Sequence, residues 1–283
     1  MDNGLVSVIT PSYNGEKYLE KYFDAFLKQT YSKIEIIFVD DGSTDNTKIE
    51  IEKYKKLLER KSVRLIYIYQ ENKGQAEAIN NALKRAKGEF LYFMDVDDFC
   101  EYDTIQNMVN FLNENKNYNV VRGKVRILEN NNIIEVRGPE KNESEYIFEN
   151  YIFEKNSYCF TGIFMFRTSE FDKNIKNRTI YNSRAGQNWQ LILPNTYRQK
   201  CGFIDKVVNN YNIIQNSHSH KKLTLKQEIR RTYQHEDILV NVINSIDEMD
   251  ERYKKSLLDR IRRKYKVKRI KLLITKIKKR LNI

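Results

Sequence analysis

The stretch "GEFLYFMDVDDF", residues 88–99, drives an apolar run straight into three carboxylates. The run reads as a buried strand, so Asp95, Asp97 and Asp98 stand at its carboxyl end. Carboxylates this close repel one another and cost stability unless something positive joins them. A hard divalent cation is the natural counter-ion, because it prefers oxygen ligands and accepts phosphates as further ones. An isolated acidic turn is often only solvated. A position directly after a strand argues for the cation.

The chain on either side fits that strand into a repeating pattern. Upstream, "LVSVIT" (5–10), "KIEIIFVD" (33–40) and "VRLIYIYQ" (63–70) are short apolar or β-branched runs and read as strands. Between them lie helical segments. Residues 15–30 place Tyr18, Leu19, Tyr22, Phe23 and Phe26 at helical spacing, 41–60 open on turn and cap residues, and 74–87 precede the opening strand. Strand and helix alternating in this way predict an α/β fold with a mainly parallel sheet and right-handed crossovers. Ligands of such sheets bind beyond the carboxyl ends of the strands. There "TPSYNG", "VDDGSTD" and "MDVDDF" gather at one edge. Downstream, 120–128 and 133–138 read as a hairpin across "ENNN", 159–167 as a strand, 185–199 as a helix, and 207–220 as a strand running into a loop. From Lys221 the pattern is helical, which divides the chain into a sheet-bearing domain, 1–220, and a C-terminal helical extension, 221–283.

Composition excludes several classes. A 283-residue chain with 40% hydrophobic residues can bury a large core, and 10 Gly and 3 Pro leave no low-complexity linker. Cys100, Cys159 and Cys201 are odd in number and far apart, so they read as packed thiols and not as disulfides or a zinc site. The first residues show no basic and apolar leader, and no apolar run reaches the ~18 residues of a membrane span. The net charge of +12 resides in the tail, since 254–280 hold fourteen Lys/Arg against one acidic residue, Asp259. Within 254–283, Val267, Ile270, Ile274, Ile277 and Leu281 form one apolar stripe among these cations. That is the pattern of a helix lying on an anionic membrane surface, with packing on the protein's own body as the alternative. Nucleic acid is disfavoured, because Tyr265 is the only aromatic interleaved with the tail's late cations.

Residues 6–47, with "TPSYN" and "DDGSTD", together with "NKGQAEAINNAL" (72–83) and "GEFLYFMDVDDF", resemble the family 2 glycosyltransferases of GT-A fold. The resemblance is close over 5–115 and loose over 150–220. It implies transfer of a sugar from a nucleotide-sugar, UDP-linked, with inversion. Pro11, Tyr13 and Asp40 would contact base and ribose. Asp95 and Asp97 would hold the ribose and a Mn²⁺ or Mg²⁺ ion on the diphosphate, with Asp97 as the metal ligand. Asp98 would stand near the donor sugar. The implied acceptor is a growing or lipid-linked glycan of a bacterial surface, made in the cytoplasm by an enzyme peripheral to the inner face of the membrane.

One departure stands out. Where many members carry Glu-Asp-Trp, with the Asp as general base, "GQNW" offers Gln187, Asn188 and Trp189. An amide has no useful basicity at neutral pH. Either the amides orient the acceptor while another carboxylate such as Asp98 takes the proton, or the chain belongs to a subgroup with its own amide motif, or catalysis is lost and the chain is a sugar-nucleotide-binding scaffold. Trp189 reads as a platform for a sugar ring, and Arg184 as a partner of the diphosphate or of an anionic sugar. His218, with His220 two residues on, is the candidate late metal ligand, whereas His235 lies in a polar helical stretch and reads as solvated.

Overall fold

The computed structural model describes residues 1–139, 143–155, 160–214 and 222–281, the last five as backbone. Strands β1 (Asp2–Ser12), β2 (Ile34–Asp40), β3 (Val63–Tyr69) and β4 (Gly88–Phe93) form a parallel half-sheet in the order β3-β2-β1-β4. Helices α1 (Leu19–Leu27), α2 (Thr47–Arg60) and α3 (Gln75–Leu83) make the crossovers. All seven residues of β2 are buried, as a parallel strand covered on both faces requires. Glu35 is tolerated there because its Oε1 accepts from Ser7 Oγ at 2.6 Å and Lys87 N at 2.8 Å. On α1, Tyr22 and Phe23 pack their rings 6.0 Å from Phe38 of β2. The register pairs Ser12 with Asp40, Asp40 with Tyr69 and Ile9 with Phe93, so the strands end together.

The second half turns the sheet mixed. β5 (Phe99–Cys100) is a two-residue strand, and β6 (Val120–Glu129) and β7 (Asn132–Arg137) form the expected hairpin. β8 (Phe164–Arg167) runs antiparallel to both β4 and β6, and β9 (Cys201–Ile213) parallel to β6 and antiparallel to β5. β9 starts six residues before the strand read from sequence, because Asp205 and Lys206 interrupt its apolar pattern and the register against β6 shifts there. α4 (Thr104–Glu114) buries Ile105, Met108, Val109 and Leu112, and α5 (Phe148–Phe153) and α6 (Thr168–Asn174) are short additions. Cys100 and Cys201 are buried free thiols pushed up to about 12 by burial, and Cys159 lies outside the described residues.

Three helices close the chain: α7 (Gln187–Thr196), α8 (Leu225–Ser245) and α9 (Glu251–Leu281). A capping box between Thr224 and Gln227 starts α8. Gly186 precedes α7 with φ +70°, and a Cβ there would stand 2.9 Å from Ile238 Cδ1, so the α7 entry and α8 approach as only glycine permits. Ile238, Leu239, Val242 and Ile243 of α8 join the sheet's own apolar core, as do Leu257, Ile261 and Tyr265 of α9. The core thus runs without a break across residue 220. Past Tyr265, Val267, Ile270, Leu273 and Ile274 are 45%, 46%, 45% and 47% exposed.

Truncating Leu239, which is fully buried in that shared core, is expected to cost about 2–5 kcal/mol. Leu239→Ala should lower the melting temperature while thermal unfolding stays a single transition. Two transitions in calorimetry would show that the helices and the sheet fold independently.

Candidate functional site

Two adjoining loops at the carboxyl edge are stitched to each other by the small polar residues of their motifs. Asn14 N donates to Ser43 Oγ at 2.9 Å, Thr44 N to Asn14 Oδ1 at 2.8 Å, and Gly15 N to Thr47 Oγ1 at 3.0 Å. Asp40 is buried and turned into this stitching. Its Oδ1 accepts from Ser43 N and its Oδ2 from Tyr67 Oη, both at 2.8 Å. Asp41 does different work. Its Oδ1 accepts from Gln70 Nε2 and Lys73 N, and its Oδ2 from Gly74 N, each at 2.8 Å. Gly74 sits at φ +94°, ψ 161°, a region that residues with a Cβ rarely enter. The clamp delivers Gln75, first residue of α3, to Asp95, whose Oδ1 accepts from Gln75 Nε2 at 2.9 Å.

The three aspartates after β4 separate by environment. Asp95 and Asp97 are half-buried and face the cleft. Desolvation, then the charge of Asp97, pushes the Asp95 carboxyl up to about 7 against the bond from Gln75. Desolvation also raises Asp97, opposed by its own backbone N–H and by Lys17. Asp98 is buried and points to β9, where Oδ2 accepts from Asn209 Nδ2 at 3.1 Å and Oδ1 from Asn212 N at 3.2 Å. Burial first, then Asp97 and Asp95, lift its carboxyl well above the usual range. Asn212 Nδ2 in turn donates to Asp97 O at 2.6 Å. Asp98 therefore ties the acidic turn to β9 and lines neither part of the cleft, as its catalytic assignment would need.

The cleft has two joined parts that share Tyr13, Asp41, Gln75 and Asp95. The first, about 330 Å³, adds Pro11, Ser12, Asp97, Tyr211 and Asn212. The second, about 630 Å³, adds Gly74, Arg184, Gln187, Asn188, Trp189, Arg231 and His235. Pro11, Tyr13, Asp95 and Asp97 thus come together with Arg184, Gln187, Asn188 and Trp189, while Asp40 lies behind Asp41. Arg184 is exposed at the rim near Gly74. Gln187 is buried and donates to Ser183 O at 2.7 Å, bracing the turn into α7. Trp189 is only 8% exposed and belongs to the core as much as to the cleft wall.

His235 corrects the reading from sequence. It is half-buried, and its ring meets Trp189 edge to face with centroids 5.1 Å apart at 88°. Burial first, then Arg231 and Lys268, lower its pKa to about 4. It was invisible in the sequence because its neighbours on α8 are polar, and the contact with α7 is tertiary. Asp41 and Gln75 carried a weak signal, inside "DDGS" and "GQAEAIN", that did not say which carboxylate faces the cleft.

Asp95 and Asp97 suit a hard divalent ion: two adjacent oxygen donors whose charge the protein leaves poorly compensated. Such an ion fills its remaining positions with phosphate and water. Among the described residues no three His, Cys, Asp or Glu side chains converge on one point, and His218 and His220 lie outside them.

A family model described as glycosyl transferase family 2 matches residues 7–175. A relative from Escherichia coli, the UDP-Glc:alpha-D-GlcNAc-diphosphoundecaprenol beta-1,3-glucosyltransferase WfgD, is 37% identical over 135 residues, covering 47% of this chain and 51% of that protein. The Streptococcus pneumoniae glycosyltransferase GlyG is 41% identical over 120 residues, or 42% and 38% of the two chains. The matches thus span about half or less of these curated relatives. Among solved structures, residues 1–349 of Staphylococcus aureus TarS in complex with UDP-GlcNAc superpose with a TM-score of 0.68 at 20% identity, over 92% of this chain and 72% of that one. The mannosyltransferase PcManGT of Pyrobaculum calidifontis, in complex with GDP-Man and Mn²⁺, gives 0.56 at 19%, over 87% and 65%. The fold is the mixed α/β GT-A type with C-terminal helices.

Removing one crowded carboxylate should help the metal-free protein. With chelator present, Asp95→Asn is expected to be more stable than wild type by on the order of 2 kcal/mol at pH 8. The folded pKa of about 7 lies above the ordinary 3.8, so the carboxylate's cost is full above pH 7 and fades as pH falls from 7 towards 4. The variant's advantage should fade over the same window in thermal melts. A variant less stable than wild type at pH 8 would mean that Asp95 has a favourable partner in the metal-free state.

Proposed function

We propose that this chain, which belongs to glycosyl transferase family 2, moves a sugar from a UDP-sugar to a lipid-linked or growing bacterial surface glycan, with inversion and with the help of Mn²⁺ or Mg²⁺. The observation that carries the reading is the pair Asp95, shared by the two cleft parts, and Asp97, beside it in the first, with one part walled by Pro11 and the other by α7. In this reading the first part takes the nucleoside. Tyr13 is 53% exposed there and free to cover a base, while Asp41 supplies the acidic edge and Asp40 braces it. The activity in the name of WfgD, glucose moved from UDP-glucose to a diphosphoundecaprenol-linked acceptor, and the UDP-GlcNAc complex of TarS support this donor class.

Asp97 and Asp95 would hold the metal. When bound, the cation offsets the negative charge that grows on the diphosphate as the glycosidic bond breaks. The chain's own residues bind and orient. Asn188 on the α7 wall positions the acceptor hydroxyl with Gln187 bracing the turn behind it, Trp189 backs the sugar's site, and Arg184 stands at the rim beside the diphosphate's path. The amides at 187 and 188 also motivate a second reading, a scaffold that binds the nucleotide-sugar without turning it over.

The far half of α9 serves as the docking surface in this proposal. Its uncovered Val267, Ile270, Leu273 and Ile274 are interleaved with Lys266, Lys268, Arg269 and Lys271. Apolar area enters the interface while lysines meet anionic headgroups. No helix among the described residues is long and apolar enough to cross a membrane.

Release of nucleoside diphosphate from UDP-, GDP- and dTDP-sugars with Mn²⁺ tests the reaction. One donor should turn over, and Asp97→Ala should lose at least ~100-fold in rate with an unchanged circular dichroism spectrum. Near wild-type turnover in that variant would sink the site assignment, whereas UDP binding without turnover of any donor would favour the scaffold. For the surface, wild type should sediment with vesicles containing phosphatidylglycerol and not with neutral ones, and the double variant Ile270→Asp, Ile274→Asp should stay in the supernatant. Equal sedimentation of both proteins would rule out α9 as the docking element.

A further inference from the structure

The second part of the cleft has walls but, at first sight, no base. Its charged and polar groups can be taken in turn. Asp41 is held by three donors, and Asp95 by Gln75 at the metal end. Arg184 and Arg231 are cations that cannot give up a proton. Gln187 and Asn188 are amides without useful basicity, and Trp189 is a donor only. Tyr13 offers a phenol hydroxyl at the end of the cleft shared with the nucleoside part. Away from the metal end, the lining side chain with a basic nitrogen is the imidazole of His235, which stands against Trp189 on the α7 side.

We infer that His235 is the general base of this glycosyltransferase, taking the proton of the acceptor hydroxyl from the α8 side of the cleft. The inference rests on the transferase reading above and adds the residue that it lacks. The ring is held in place for the task. It lies edge-on to Trp189, the next residue after Asn188, so base and acceptor-orienting amide share one wall. Glu236, next in sequence, accepts from Arg269 Nη1 of α9 at 2.6 Å, and Arg269 lies 4.0 Å over the ring of Tyr233. The charged groups around the imidazole are Arg231 on α8, Lys264 and Lys268 on α9, and Glu154 just after α5. The three cations and burial outweigh Glu154 and keep the ring neutral at physiological pH, with a conjugate acid of about 4.

The step balances within the substrates and this side chain. The acceptor O–H proton passes to an imidazole nitrogen, and the oxygen bonds to the anomeric carbon. The bond from that carbon to the diphosphate oxygen breaks, and its electron pair leaves with the nucleoside diphosphate. The imidazolium then returns its proton to solvent.

The test uses the full chain with UDP-glucose, UDP-galactose and UDP-GlcNAc, Mn²⁺, and water as the minimal acceptor. His235→Ala should lose roughly 10²–10⁴-fold in UDP release while its Kd for UDP stays that of wild type. Added imidazole should recover roughly tenfold or more in His235→Ala and do nothing to wild type. Adding Asn188→Asp to His235→Ala should recover turnover from the neighbouring wall position. A His235→Ala enzyme within about threefold of wild type would overturn the inference and leave the transferase reading intact, and so would a loss of rate that neither imidazole nor Asn188→Asp relieves. Silence of wild type on all three donors would overturn the transferase reading, and the inference with it.

Discussion

Two carboxylates kept side by side and partly out of water at the end of β4 impose terms on the surrounding structure. Neither desolvation nor mutual repulsion favours their ionised forms, and both are lifted in pKa for that reason. A chain folds around such a pair only when its other acidic groups are satisfied nearby, and here they are. Asp98 is tied to Asn209 and the backbone of Asn212, Asp41 to two backbone amides and Gln70, and Asp40 to Ser43 and Tyr67. The two-residue strand β5 and the end of β9 gain a clear purpose from this. β9 carries the donors that hold Asp98 and the Asp97 carbonyl, and β5 pairs with it directly after the turn, so the turn is held at the cleft.

The parallel half of the sheet was legible because burial on both faces leaves little choice of residue. β2 is apolar between its two buried carboxylates, and Glu35, at the edge opposite Asp40, is answered by Ser7 and Lys87 N. The mixed half was less legible. β9 alternates between buried and exposed segments across a register shift, and α4 hides its apolar face among asparagines. The motif stretches marked the correct edge, but linear adjacency does not tell which of two neighbouring aspartates turns outward. Asp40 and Asp41, like Asp97 and Asp98, differ by one residue and by a reversal of role. That reversal depends on donors supplied from β3, the loop before α3 and β9, which are distant in sequence.

The C-terminal helices matter to the cleft through packing and not only as an appendage. Ile238 seats under Gly186, where any side chain would push α8 off the entry to α7. One and two helical turns away on the same helix, His235 and Arg231 line the cleft part that Asn188 and Trp189 also line. A helix with a mostly polar surface reads as solvated from its sequence. Packed against a site, the same polar residues become that site's chemistry.

α9 then joins the cleft to the protein's outer surface. Its first half contributes Leu257, Ile261 and Tyr265 to the core, and Arg269 reaches back to Glu236 and Tyr233 on α8. Directly after this anchoring, the stripe of Ile270, Leu273 and Ile274 is uncovered. A single rigid helix therefore fixes both the wall that presents His235 and the direction in which the apolar, cationic face points. Held in this way, the cleft keeps one orientation relative to whatever surface α9 meets, and no hinge stands between the two. A lipid-linked acceptor would then reach the α7–α8 wall with its hydroxyl already near the base. For such a substrate, diffusion along the surface would bring the acceptor to the cleft.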